Sequence, residues 1–237
     1  MLKEMIIKVR PEICMMANIR LVVSDFDRTF TDETLRVAPA LAAAIGRLKK
    51  NGISFSLVSG RNFTFLNEFC TGLDGIVDSF VAENGCIGSF EGKKYVLSNG
   101  FDRAALFKRL DKLSVPYGHG EVITAVDYAH RQGLMEALQG TGNSYDVIRN
   151  VDSLMILPHN ISKSSAAMWL SGMHGVSRDE TACIGDAQND VSMRSACGLF
   201  GAVANAIPEM KSAADYVCKQ SDGEGLKEFI EYIEARR

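Results

Sequence analysis

The chain has 237 residues, 46% hydrophobic and 23% charged, which excludes a largely disordered polypeptide with too little apolar surface to offset its ordering entropy. With 26 Lys and Arg against 29 Asp and Glu, the net charge is −3, and such a balance gives no long-range pull toward nucleic acid or an anionic membrane surface. No apolar run reaches the ~18 residues of a transmembrane helix, and Met1–Arg20 is broken by Lys3, Glu4, Lys8, Arg10, Pro11 and Glu12, unlike a secretion signal.

The expected elements alternate between apolar runs and helical segments. Ile19–Val23 is predicted as a buried strand. Pro39–Lys50 follows as a helix with Pro in its first turn and Asn51-Gly52 as its stop. Ile53–Val58 is the second strand, 62–69 a helix and Ser79–Ala82 a short third strand. The pattern returns late in the chain. A helix is expected at Ser164–Met173, a strand at Thr181–Ile184, a helix at Gln188–Ala196 and a strand at Leu199–Val203. A short helix from Pro208, a strand at Tyr216–Cys218 and a helix at Leu226–Ala235 complete it. Strand–helix–strand spacing implies parallel pairing with right-handed crossovers.

The middle differs. Cys86–Phe90 and Tyr95–Leu97 flank Glu91-Gly92-Lys93-Lys94 as a hairpin. Phe101–Leu113 and Tyr128–Leu138 read as helices, Val122–Val126 and Ser153–Leu157 as strands. The fold class expected is therefore α/β: a Rossmann-like three-layer core with a parallel sheet, plus a smaller inserted α+β cap. Core residues are 1–84 and 158–237, cap residues 85–157, with Asn84-Gly85 as the turn between them. The cap's charges balance, as on a solvated lid rather than a basic docking surface.

Cys14, Cys70, Cys86, Cys183, Cys197 and Cys218 form no CxxC pair, and His119, His130, His159 and His174 form no close pair. A disulfide framework and a zinc site are not expected. These features predict a cytoplasmic protein, monomeric or homodimeric, that binds neither nucleic acid nor membrane.

Three expected strands run into polar residues: Ser24-Asp25-Phe26-Asp27-Arg28-Thr29, Ser59-Gly60-Arg61 and Gly185-Asp186-Ala187-Gln188-Asn189-Asp190. In a parallel sheet these are carboxyl ends on one edge, where open α/β sheets bind ligands. Two carboxylates ~4 Å apart at an effective dielectric near 20 repel by about 4 kcal/mol. A divalent cation among Asp25, Asp27, Asp186 and Asp190 removes that penalty, and oxygen ligands without nearby His or Cys favour Mg²⁺. Mg²⁺ suits a phosphate substrate, for which Ser59 at a helix start and Lys163 before another helix offer binding groups.

On these residues the chain resembles the haloacid-dehalogenase-superfamily phosphatases. Asp25-Phe26-Asp27-Arg28-Thr29 matches the first motif, DxDxT, and Ser59 the second. Lys163 matches the third, and Gly185-Asp186-Ala187-Gln188-Asn189-Asp190 the fourth, GDxxND. Ala204-Asn205-Ala206 and Ala214-Asp215-Tyr216 resemble the tail of the subgroup whose cap lies between the second and third motifs. The resemblance implies that Asp25 attacks phosphorus and becomes an aspartyl-phosphate, while Asp27 exchanges protons with the leaving alcohol and the attacking water. It implies Mg²⁺ held by the Asp25 carboxylate, the Asp27 main-chain carbonyl and Asp186, with Asp190 as a ligand or just behind. Ser59, Gly60, Lys163 and Asn189 are the expected phosphate-binding residues. Within the family the chain is similar to archaeal-type phosphoglycolate phosphatases, with Cof-like sugar-phosphate phosphatases next.

The implied function is hydrolysis of a small phosphorylated metabolite, 2-phosphoglycolate first. A sugar-phosphate phosphatase, a phosphomutase and a non-catalytic phosphate-binding protein are the alternatives. Arg131, Arg149, Lys93 and His119 are unranked candidates for gripping a substrate carboxylate. Arg28 stands where Gly is common in the motif; it either crowds the following segment or reaches substrate. Arg61 is weighed as a helix cover against a substrate grip, and Trp169 as a core residue.

Overall fold

The computed structural model describes residues 18–98, 102–142, 144–150 and 152–236. The reading of the N-terminal segment through Ala17, Cys14 included, and the expected helix start at Phe101 lie outside those residues.

β1 (Leu21–Asp25) is buried at every position, as an apolar run at the centre of a parallel sheet must be. α1 (Pro39–Lys50) begins with Pro and buries Leu41, Ala44, Ile45 and Leu48, the spacing of one helical face. It crosses over to β2 (Ser54–Val58), parallel to β1 with Asp25 beside Val58. α2 (Phe63–Thr71) is capped by Asn62, whose side chain accepts from Phe65 N. β3 (Ser79–Ala82) lies parallel to β2.

The hairpin β4 (Ile87–Phe90) and β5 (Lys93–Val96) corrects one expectation. It does not join the small sheet; β4 pairs antiparallel with β3, with Val81 opposite Gly88, and extends the core sheet. β3 is buried at all four positions, and a buried strand left at an edge would expose unpaired N–H and C=O groups.

The smaller unit follows. α3 (Arg103–Lys112) precedes the two-residue β6 (Gly118–His119) and β7 (Thr124–Asp127). α4 (Arg131–Ala137) is led in by a 3-10 turn at Tyr128–His130, so the single helix expected there is split. β8 (Tyr145–Asn150) and β9 (Ser153–Pro158) complete an antiparallel sheet in the order β6-β7-β9-β8. Leu106 and Leu110 of α3 and Leu134 of α4 pack on Val126, Leu154 and Ile156. A separate apolar cluster joins Val122, Ile123 and Leu157 to Cys86 and Ile87 of the core.

The chain returns through α5 (Lys163–Met173), whose start carries a reciprocal Ser162–Ser165 capping box. β10 (Thr181–Gly185) pairs parallel with β1 on the side away from β2. Gln188–Ala196 is helical in the tighter 3-10 form. β11 (Leu199–Ala202), α6 (Pro208–Ala213), β12 (Tyr216–Val217) and α7 (Asp222–Glu234) finish the fold. The core sheet runs β12-β11-β10-β1-β2-β3-β4-β5, with α1 packed on α7 and α5 packed on the 188–196 segment. The result is an α/β core with helices around a large, mostly parallel sheet, and a smaller α+β cap.

Trp169 of α5 is structural. It packs on Tyr95 with ring centroids 5.4 Å apart, and a Cβ at Gly88 would lie 2.6 Å from its ring. Gly88→Ala should lower unfolding free energy by roughly 1–3 kcal/mol, the usual range for overpacking. Urea unfolding checks this; an unchanged midpoint would show that Trp169 has room to move.

Candidate active site

β1, β2 and β10 are adjacent and parallel, so the residues at their carboxyl ends gather at the point where strand order reverses. Asp25 ends β1, Ser59 follows β2 and Asp186 follows β10. Lys163 is the first residue of α5. Four segments far apart in the chain therefore meet at one edge.

Lys163 is their centre. Its ammonium donates to Asp25 Oδ1 at 2.6 Å and to Asp190 Oδ1 at 2.5 Å, and all three residues are buried. Asp190 Oδ2 accepts from Asp186 N at 3.0 Å and Ala187 N at 2.9 Å. Both Asp190 oxygens are thus engaged, Oδ1 by Lys163 and Oδ2 by the loop, and its close approach needs Gly185, where a Cβ would fall 2.6 Å from the Asp190 side chain. Carboxylate oxygens of Asp25, Asp186 and Asp190 all lie within 4.8 Å of one another. Thr29 Oγ1 donates to Asp186 Oδ1 at 3.5 Å.

Three carboxylates face one ammonium, and the imbalance appears in their acidity. Burial, with Asp190 and Asp186 adding repulsion and Lys163 opposing, pushes the Asp25 carboxyl well above the usual range. Burial and then Asp190 push Asp186 up to about 7. Burial alone would lower the Lys163 pKa, but Asp190 and Asp25 outweigh it and raise it. An all-oxygen cluster with surplus negative charge fits a hard divalent cation such as Mg²⁺.

A cavity of about 430 Å³ opens beside this cluster, lined by Asp25, Lys163 and Asp186 together with Asp27, Arg28, Gly60, Arg61, Met155, Ala187 and Asn189. Ser59 and Asp190 are fully buried behind that wall. Ser59 Oγ accepts from Arg61 N at 3.0 Å, holding the turn that presents Gly60. Asn189 Nδ2 donates to Asn84 Oδ1 at 3.1 Å.

The Asp27 carboxylate is not part of the Asp25–Asp186–Asp190 cluster. Arg61 Nε donates to both its oxygens at 3.1 Å, and Arg61 Nη2 to Oδ1 at 2.7 Å. Arg61 also lies 5.0 Å from the Phe65 ring centroid, so it covers the helix and faces the cavity together. Arg28 has φ 61°, which explains why glycine suits that position. Its Nε donates to Asp222 Oδ1 at 2.7 Å, and its carbonyl accepts from Asn205 Nδ2 at 2.9 Å. Arg28 therefore both ties its segment to α7 and lines the cavity. None of Arg131, Arg149, Lys93 and His119 does so; Arg131 and Arg149 stack on Tyr128 in the cap.

Asn84, expected as the turn into the cap with substrate proximity second, and Glu83, which no motif singles out, are both fully buried and hydrogen-bonded across the two units. The available signal was polar Glu-Asn-Gly directly after a buried strand.

A family model described as haloacid dehalogenase-like hydrolase matches residues 22–125 and 120–230. The "Phosphoglycolate phosphatase" of Sulfurisphaera tokodaii is 32% identical over 90% of this chain and 93% of its own length. The "Phosphoglycolate phosphatase 2" of Saccharolobus solfataricus is 29% identical over 90% and 91%. A crystal structure from Thermoplasma acidophilum superposes with a TM-score of 0.78 at 21% identity, covering 92% of this chain and 99% of the other.

The cluster predicts a pH-dependent response to metal. Between 3.8 and about 7 the native Asp186 binds more protons than the unfolded chain does. Its contribution to the metal-free protein therefore falls as pH rises through that window, and a cation competes with those protons. Mg²⁺ should raise the melting temperature more at about pH 8 than at about pH 5; calorimetry showing equal shifts would rule out binding by these carboxylates.

Proposed function

The chain belongs to the haloacid dehalogenase-like hydrolases, and from that premise we propose that it is a Mg²⁺-dependent phosphatase acting on a small phosphomonoester, 2-phosphoglycolate first. The observation that carries this reading is the buried Asp25–Lys163–Asp190 arrangement, 2.6 and 2.5 Å long, opening on a cavity of about 430 Å³. The names of the two curated relatives favour the substrate. The smaller unit is the cap that covers the cavity, contributing Met155 to its wall.

Asp25 is the nucleophile. Lys163 restrains its carboxylate through Oδ1, which orients it without a mobile counter-ion. As the Asp25 oxygen–phosphorus bond forms, the bond from phosphorus to the leaving oxygen breaks, and Asp27 gives that oxygen a proton. Water then attacks phosphorus, Asp27 takes a proton from it, and the phosphate leaves Asp25. Both Asp27 oxygens are held by Arg61, so each proton transfer requires Arg61 to release one of them. Asp25, Asp186 and the Asp27 main-chain carbonyl would hold Mg²⁺, which when bound would supply positive charge to the phosphoryl oxygens. Asp190 orients Asp186 and Lys163 from behind, since its own oxygens are already used. Gly60, Asn189 and Lys163 face the phosphate, and Ser59 supports the Gly60 turn. A substrate carboxylate falls to Arg61 and Arg28, the two arginines on the wall.

Asp25→Asn should leave the melting curve intact and reduce phosphate release by several orders of magnitude, because the amide cannot attack phosphorus. An unchanged rate would remove Asp25 as nucleophile. EDTA should abolish activity on 2-phosphoglycolate and added Mg²⁺ restore it; full turnover in EDTA would remove the metal. A screen of phosphorylated metabolites ranked by kcat/KM tests the substrate.

A further inference from the structure

Glu83, Asn84 and Gly85 follow β3 with three consecutive positive φ angles, 53°, 54° and 121°. Left-handed geometry at two successive non-glycine residues persists only where the surroundings over-determine it. Here the catalytic loops do so. Glu83 N donates to Arg61 O and Asn84 N to Ser59 O, each at 2.9 Å, seating the turn on the loop that presents Gly60. A Cβ at Gly85 would lie 2.5 Å from Ser162 O, so the turn also abuts the residue before Lys163.

The side chains reach the other way. The Glu83 carboxylate, fully buried, accepts from three successive main-chain amides of the cap: Glu121 N at 2.8 Å, Val122 N at 2.8 Å and Ile123 N at 2.9 Å. Such charge-assisted bonds to a nest of amides are strong and directional. Gly120 leaves them room, because a Cβ there would lie 2.3 Å from Glu83 Oε1. Asn84 accepts from Asn189 Nδ2 at 3.1 Å and donates to Met155 Sδ at 2.9 Å. Asn189 and Met155 both line the cavity.

We propose that Glu83 and Asn84 are positioning residues: Glu83 pins the cap to the core through the 121–123 amides, and Asn84 locks the cap's Met155 to Asn189 of the core. The segment 120–123 is then the fixed end of the cap, and the height of Met155 over the cavity is set from this turn. Neither residue touches phosphate. Their effect is on which leaving groups fit beneath Met155.

Glu83→Gln preserves shape but turns a donor amide toward donor N–H groups. Hydrogen exchange on the full-length protein should show residues 121–123 exchanging about tenfold faster or more. The preference in kcat/KM for 2-phosphoglycolate over the bulkier p-nitrophenyl phosphate should narrow, with melting behaviour largely kept. Gly120→Ala displaces the carboxylate from the cap side and should reproduce both effects, which covers the case in which Glu83→Gln fails to fold. Unchanged exchange at 121–123, or an equal loss on both substrates, would overturn the proposal. The kinetic arm rests on the phosphatase reading. Wild-type inactivity on every phosphomonoester would sink that reading, while the exchange measurement would still decide the pin.

Discussion

Three carboxylates and one ammonium share the space at the end of β1, and the charge does not balance. Lys163 satisfies Asp25 and Asp190, while Asp186 stands within 4.8 Å of both. Unpaired carboxylates in a low-dielectric site are costly, and the fold spreads that cost. Asp190 takes two loop amides and Asp186 takes Thr29. Burial first, and the remaining negative charge after it, raises the proton affinity of Asp25 and Asp186. In the proposed metal-dependent enzyme, a cation bound there would offset that surplus charge and so couple the stability of the fold to its chemistry.

The sheet makes this crowding possible. Parallel strands in the order β10-β1-β2 deliver their carboxyl ends to one place without any contact between neighbours in sequence. The loops then adopt backbone geometry that ordinary turns avoid. Arg28, Glu83 and Asn84 have φ of 61°, 53° and 54°, and sparsely populated conformations of this kind cost on the order of 1–3 kcal/mol each. Each is held by specific partners: Asp222 and Asn205 for Arg28, three cap amides for Glu83, Asn189 and Met155 for Asn84. The strain lies around the cavity; Asp222, Asn205 and the cap amides restrain it from outside, Asn189 and Met155 from the wall itself.

What the sequence made legible follows from where the physics is local. Pro39–Lys50 and Ser79–Ala82 have the bounds expected of them, because a proline start, an Asn-Gly stop and a β-rich run between turns are local signals. The convergence of Asp25, Lys163, Asp186 and Asp190 was also legible, since strand ends carry position in a parallel sheet. The hairpin's partner was not. Cys86–Leu97 reads as two strands and a turn in either unit, and only the need to cover β3 assigns it to the core. β8 escaped because Tyr145–Asn150 is an edge strand, with Val147 exposed and little apolar pattern. α7 starts at Asp222 rather than Leu226, because Gly223 and Gly225, poor helix formers by themselves, sit where packing is close: a Cβ would lie 3.2 Å from Phe30 O at Gly223 and 2.4 Å from Gln220 O at Gly225. Glu83 carries as local signal only its place in a polar Glu-Asn-Gly run after a buried strand; what it binds is not local, since its partners lie about forty positions away in the chain.

The division of labour between core and cap follows from the cavity wall. Among the described residues that line it, only Met155 comes from the cap. A thioether can exclude water and adapt its shape, but it offers almost nothing to an anion. Reading of charge therefore belongs to the core, to Lys163, Arg61 and Arg28, and each of these already holds a carboxylate. In the proposed phosphatase an anionic substrate would enter by exchanging partners with Asp27 or Asp222 rather than by finding a vacant cation. On the proposed mechanism recognition and catalysis would be linked in that exchange, because the group freed when Arg61 turns to the substrate is Asp27, the side chain proposed to carry the proton.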